Sequence, residues 1–310
     1  MTSALDDRIS LGLFPTPLQN VPSVPGLALK RDDLSGFGAA GNKTRPLEYL
    51  IADALEARST CVVSGGMPTS NFIGALAEAA CRHGLHCHLL VPEPVTATMS
   101  VALARLLGAT VEPVSCPRET LDDCIALRAQ ELSSSGREAY AIPRGGATPV
   151  GAMGFYRAVI EIAEQQDEPA TIVIPVGSGA SMAGLVAGTA ILRAPFQIIG
   201  VSVSRPVEEI ELTVMHLAGA VVERMGGHPG AVDDVRQRLV DCRRGPAPEA
   251  RRDAVRAMAC AGVLMDGHYG LPAWSVAAGL ARKAAIGRII LWHTGGIAGV
   301  PSLLNEVQEG

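Results

Sequence analysis

With 310 residues the chain is long enough to bury a substantial core, as one large domain or two moderate ones. Its 26 basic and 31 acidic residues leave a net charge of −5 with no basic block, which argues against a nucleic-acid partner. Apolar residues make up 48% and aromatics only 4%, a composition that suits small side chains packed tightly between helices and a buried parallel sheet.

The chain opens with MTSALDDRISLGLFPTP, which lacks the basic and apolar regions of a signal peptide. The following arm, LFPTPLQNVPSVPG, carries four prolines and is predicted to be an extended, ordered strap. Arg45–Ala57 repeats Leu47, Leu50, Ile51, Ala54 and Leu55 at helical spacing. Strands are predicted at Cys61–Ser64, His86–Val91, Thr110–Val114 and Ala139–Ile142. Between them, Gly108 closes a helix that begins near Thr96, and Gly136 closes one that begins near Thr120. Arg144-Gly145-Gly146-Ala147-Thr148-Pro149 interrupts the pattern. Further strands are predicted at Thr171–Val176, Gln197–Ser204, Val263–Asp266 and Arg288–His293, with an exposed connection at Cys242–Glu249. Ile172–Leu192 is uncharged and nearly long enough to span a membrane, yet its proline and glycines fit a strand, a loop and a buried helix better. The seven cysteines are odd in number and irregularly spaced, as in a reduced cytoplasmic protein.

Alternation of strand and helix predicts an α/β fold with mostly parallel sheets, arranged as two three-layer α/β lobes. The smaller lobe is expected over residues 44–145, and the larger over 1–43 plus 146–310.

Four segments could carry chemistry. In Lys30-Arg31-Asp32-Asp33-Leu34-Ser35-Gly36 followed by Gly41-Asn42-Lys43-Thr44-Arg45, a lysine stands between a glycine turn and a helix start. There the helix dipole favours a neutral amine, the form that attacks an aldehyde, although an isolated lysine in this setting is more often simply solvated. Ser64-Gly65-Gly66-Met67-Pro68-Thr69-Ser70-Asn71 links a strand to a helix and offers hydroxyls and N–H groups to a carboxylate, or else is an ordinary capped turn. Val176-Gly177-Ser178-Gly179-Ala180-Ser181 follows the most apolar strand and suits one phosphate. Its GxGxxxxG spacing, with Ser204-Arg205 and no acidic residue ending the next strand, disfavours a dinucleotide. Trp292-His293-Thr294-Gly295-Gly296 ends the last strand, where Thr294 could donate to a ligand ring. His83, His86, Cys87 and His88 lack a second ligand group at metal-binding spacing, so no metal is expected.

Together and in this order, KRDDLSG…GNKTR, GG…SN, GSGASMAGL and HTGG resemble the D-cysteine desulfhydrase / 1-aminocyclopropane-1-carboxylate deaminase family of fold-type II pyridoxal-phosphate enzymes, over roughly Phe14 to Leu304. The resemblance implies pyridoxal 5′-phosphate as cofactor, a small amino acid as substrate and a homodimer. It implies that Lys43 forms the Schiff base and shuttles a proton, and that Gly177, Ser178, Gly179, Ala180 and Ser181 bind the phosphate. Asn71 would meet the phenolic oxygen of the cofactor. Thr69, Ser70 and Asn71 would bind the substrate carboxylate, with Ser70 and Tyr269 as catalytic groups. Three departures bear on the reaction: the loop GGMPTSN is one residue longer than the family pattern, Gly270 stands where the family carries a side chain facing the pyridine nitrogen, and a second family tyrosine has no match, the nearest stretch being Arg243-Arg244-Gly245-Pro246. The expected activity is lyase or deaminase chemistry. A β-replacement synthase and a cofactor-binding protein without catalysis are the alternatives, separated by whether a second nucleophile is consumed and whether any amino acid perturbs the bound cofactor.

Overall fold

The computed structural model describes residues 3–283 and 287–303. Its elements run α1 (Ser3–Asp6), β1 (Leu18–Asn20), β2 (Leu27–Arg31), α2 (Thr44–Glu56), β3 (Cys61–Gly65), α3 (Asn71–Arg82), β4 (His86–Pro92), α4 (Met99–Leu106), β5 (Thr110–Val114), α5 (Leu121–Ser134) and β6 (Ala139–Ala141). They continue with α6 (Pro149–Gln165), β7 (Ala170–Val176), α7 (Ala180–Leu192), β8 (Phe196–Ser202), α8 (Val207–Arg224), β9 (Gln237–Asp241), α9 (Pro248–Cys260), α10 (Gly270–Ala281) and β10 (Arg288–His293).

Two sheets form. The larger has the order β1-β2-β10-β7-β8-β9 and is parallel except for β1. The smaller, β5-β4-β3-β6, is wholly parallel. Parallel strands must be covered on both faces, and the alternation along β7 shows how. Ile172, Ile174 and Val176 join a core shared with α6, α7 and α8, while Val173 points into a second core with α9 and α10. The smaller sheet is layered likewise, with Val62 and Leu89 facing α2, α3 and α4, and Cys61 and Val63 facing α5.

Two of the expectations need correction. Val263–Asp266 is not a strand: it is an unpaired connection between α9 and α10. Both helices cover the same face of the larger sheet, so the chain between them has no need to cross it. The proline arm is more than a strap, since it contributes β1 to the larger sheet and leads directly into β2, with its Pro22 and Pro25 in the turn between the two strands. Ile172–Leu192 divides into strand, glycine turn and helix, and no helix among the described residues is long and apolar enough to cross a membrane.

Candidate active site

A buried ion network fixes the start of α2 through Arg45, two residues beyond Lys43. Lys30, wholly buried on β2, donates to the Thr16 carbonyl at 2.6 Å and to Gln165 Oε1 at 2.7 Å, and pairs with Glu161 of α6. The Arg45 guanidinium grips Asp32 through Nε and Nη2, both at 2.7 Å, and Glu161 through Nη1 at 2.8 Å. It also lies 4.3 Å from the centroid of the Phe14 ring. Trp292 Nε1 donates to Asp32 Oδ2 at 2.7 Å, which joins the last strand to the same network. Burial pushes the Glu161 carboxyl up, but Arg45 and Lys30 overcome it and hold it at about 2.

The Lys43 turn rests directly on the turn after β10. Gly41 has φ +54°, and a Cβ there would stand 2.2 Å from the Thr294 carbonyl oxygen. Only a glycine lets the two turns meet this closely. The Asn42 N–H donates to that same oxygen at 3.1 Å. One residue on, the Gly295 N–H donates to buried His293 Nδ1 at 3.3 Å. Burial pushes the His293 imidazole down despite nearby Asp33, which suits its role as a neutral acceptor. Lys43 itself is half-buried, and desolvation lowers its ammonium pKa to about 8.

The carboxylate loop approaches from the smaller sheet. Ser70 caps α3 by accepting from the Phe72 N–H at 3.3 Å. Asn71, the first residue of α3, lines a small crevice with Ala39 and Ala40, and the Ala40 carbonyl accepts from the Lys43 N–H at 3.0 Å. The structure therefore brings Asn71 to the Lys43 turn, whereas Thr69 is exposed on the loop before the Ser70 cap.

The glycine loop after β7 runs Gly177-Ser178-Gly179-Ala180-Ser181, with Gly179 at φ +99° as the left-handed cap of the 13-residue α7. The Tyr269 hydroxyl lies 3.1 Å from the position a Gly177 Cβ would take, so the predicted tyrosine and the predicted phosphate loop touch. Ser178 faces Gly145 in the turn after β6, with its hydroxyl 2.8 Å from the Cβ position of that glycine. Tyr269 is set by Asp266, whose Oδ1 accepts from the N–H groups of His268 at 2.9 Å and Tyr269 at 2.7 Å. Asp266 Oδ2 is buried without a hydrogen-bond partner and faces Gly296. Sequence reasoning overlooks this residue, although an aspartate just ahead of a helix start is a recognisable capping signal. Gly270 has no room for a side chain, since a Cβ there would stand 2.3 Å from Met265 Cβ. His86 and His88 pair instead with Thr110 and Glu112, at 3.0 and 2.5 Å.

Comparison with known proteins shows the family and the fold. The family model described as pyridoxal-phosphate dependent enzyme matches residues 9–295. The chain belongs to this family. It is 32% identical over 304 residues to a Pyrococcus horikoshii protein provisionally named 1-aminocyclopropane-1-carboxylate deaminase, covering 94% of this chain and 92% of that one. It is 31% identical to the D-cysteine desulfhydrase of Salmonella paratyphi A, over 93% of this chain and 94% of that one. The solved structure of a homologue of 1-aminocyclopropane-1-carboxylate deaminase superposes with a TM-score of 0.89 at 30% identity, covering 100% of this chain and 99% of that one.

The residues gathered here fit pyridoxal phosphate. An amine that burial moves toward its neutral form suits the aldehyde, and a left-handed glycine at the start of a long buried helix suits the phosphate. Gly179→Ala tests the second half of that fit. A Cβ at φ +99° would stand 3.2 Å from Ile210 Cδ1, and left-handed backbone strains an L side chain by roughly 1–2 kcal/mol. We expect pyridoxal phosphate to bind about tenfold more weakly, with phosphate-free pyridoxal changing much less, as read by titration of the apo-protein. Equal losses for both ligands would show that the loop does not hold the phosphate.

Proposed function

We propose that the protein is a pyridoxal-phosphate-dependent lyase or deaminase that acts on a small amino acid by β-elimination or deamination. The observation that carries this reading is the burial-tuned amine of Lys43, on a turn locked against Thr294 and reached by Asn71 at the head of α3. The names of the relatives supply the reaction class. Bound pyridoxal phosphate supplies an aldehyde for Lys43 and a conjugated ring that takes up the electron pair left at the substrate Cα. The chain's own part is to position and move protons. Lys43 Nζ would take the Cα proton, with Ser70 as the second candidate base. Ser70, Asn71 and Thr69 orient the substrate carboxylate at the N-terminus of α3, where N–H groups and the helix dipole favour an anion.

Tyr269 covers Gly177 and closes one wall. Gly270 offers no side chain to a cofactor ring, and the Thr294 hydroxyl would be the neutral group that holds the ring nitrogen. A neutral partner weakens the electron sink and favours prompt loss of a β leaving group over ring opening. The seven cysteines are free, which supports a cytoplasmic setting, and family resemblance supports a homodimer.

The test is a spectral screen of the holoenzyme against D- and L-amino acids, aminocyclopropane carboxylate and β-substituted alanines. Expected are a shift of the cofactor's visible band and release of a keto acid with ammonia or sulfide. A band that no amino acid perturbs would mean a cofactor-binding protein without catalysis. Turnover only with an added second nucleophile would mean a β-replacement synthase.

A further inference from the structure

Three arginines outside the predicted site come from turns of both sheets. Each follows the carboxyl end of a strand, the side on which Lys43 and the glycine loop lie. Arg118 sits in the 3-10 turn before α5, Arg144 in the 3-10 turn after β6, and Arg205 in the turn after β8. They form one cluster. Arg118 Nη1 donates to the Ser204 carbonyl at 3.5 Å. Arg144 donates its backbone N–H and its Nη2 to Asp122, each at 2.8 Å. Burial pushes the Asp122 carboxyl up, yet Arg144 and, at longer range, the Arg205 charge hold it down. The cluster adjoins the glycine loop, since Gly145 packs on Ser178.

The cations outnumber the carboxylates that face them. Asp122 is shared, and Glu209 stands 3.8 Å from Arg205 with 60% of its side chain exposed, so solvent screens it. Two donors within the cluster, Arg144 Nε and Ser204 Oγ, are buried with no hydrogen-bond partner. Buried polar groups in folded proteins are paired almost without exception, so two unpaired donors on the turns that carry these guanidinium groups mark a place for an oxyanion. The cofactor phosphate has its own N–H groups at Gly177–Ser181, and the substrate carboxylate has the head of α3.

We propose that Arg118, Arg144 and Arg205, with Ser204, form a subsite for an anionic group at the end of the substrate's side chain. The substrate is then a small amino acid ending in a second carboxylate, a sulfonate or a phosphate. This rests on the lyase or deaminase reading above and sharpens it.

The test uses holoenzyme and three anionic probes, aspartate, cysteate and O-phosphoserine, against neutral serine and alanine, all as both enantiomers. The concentration that half-shifts the visible band and the KM of any turnover are the readouts. Expected is a preference of at least about tenfold for one anionic class, which the three probes tell apart, and which weakens as salt is raised. Arg118→Gln and Arg205→Gln should each lower the anionic-to-neutral affinity ratio about tenfold, the loss of one charge-assisted bond. Arg144→Lys, which keeps the charge near Asp122, should lower it less. Equal response to anionic and neutral probes overturns the subsite while leaving the lyase reading intact. So do arginine variants that weaken pyridoxal phosphate binding instead, for they would assign the guanidinium groups to the cofactor. If no amino acid of either kind shifts the band, both readings fall together.

Discussion

Lys43→Ala should remove all borohydride-fixed cofactor from the denatured protein and lower turnover roughly 10³-fold or more, since one residue supplies both the covalent anchor and the proton-transfer group. The pH dependence follows from burial. Desolvation lowers the Lys43 pKa from an ordinary 10.5 to about 8, so the folded apo-protein releases this proton earlier than the unfolded chain does. Aldehyde capture by apo-protein should therefore rise with pH, with its midpoint near 8. Stability has the same sign. Between about pH 8 and 10.5 the unfolded chain binds the extra proton, so apo-protein stability should climb across that window, and the climb should vanish in Lys43→Ala. Chemical denaturation at several pH values reads it. A variant that keeps the fixed cofactor would place the anchor on another lysine.

The glycine turns that position Lys43 are legible in sequence because their chemistry is local. A glycine before a helix start implies open N–H groups whatever surrounds it, and four such turns in order imply one ligand with several parts. The buried strands are legible for a related reason, since both faces of β3, β7 and β8 are covered and they read as short apolar runs. The misses lie where a residue's setting is decided at long range. β2 directly follows a proline-rich arm and contains Lys30, which looks like a surface residue until Glu161, from a helix far along the chain, is placed beside it. β9 carries Gln237, Arg238 and Asp241 and reads as polar because it forms the sheet edge. Val263–Asp266 reads as a strand because it is apolar, yet it packs beneath α10 rather than in the sheet. The arginine cluster is hidden for the same reason, for its members come from three separate loops and meet only because two sheets present their carboxyl ends to each other.

Arg45→Met should cost about 3–5 kcal/mol of stability, the usual effect of removing one partner from a buried charged network. The argument turns on what remains. Asp32 is wholly buried and would keep only Thr16 Oγ1 at 2.9 Å and Trp292 Nε1 at 2.7 Å as donors. Glu161 would keep Lys30 and the Thr16 N–H at 2.8 Å, so it would be less stranded than Asp32. Methionine fills the space between Phe14 and Trp292 but satisfies neither carboxylate. The acid limb should change as well. Glu161 sits at about 2 in the fold against 4.5 unperturbed, so it contributes stability that is present above 4.5 and lost as pH falls toward 2. Without Arg45 the folded value rises, and acid unfolding should begin at higher pH. Adding Glu161→Gln to Arg45→Met should cost less than the sum of the two single changes, because the second change removes a charge that the first has left partly unpaired. Urea denaturation of the four proteins, repeated at pH 7 and pH 4, measures the coupling, and a loss below about 1 kcal/mol for Arg45→Met would show that the network does not hold the start of α2 in place.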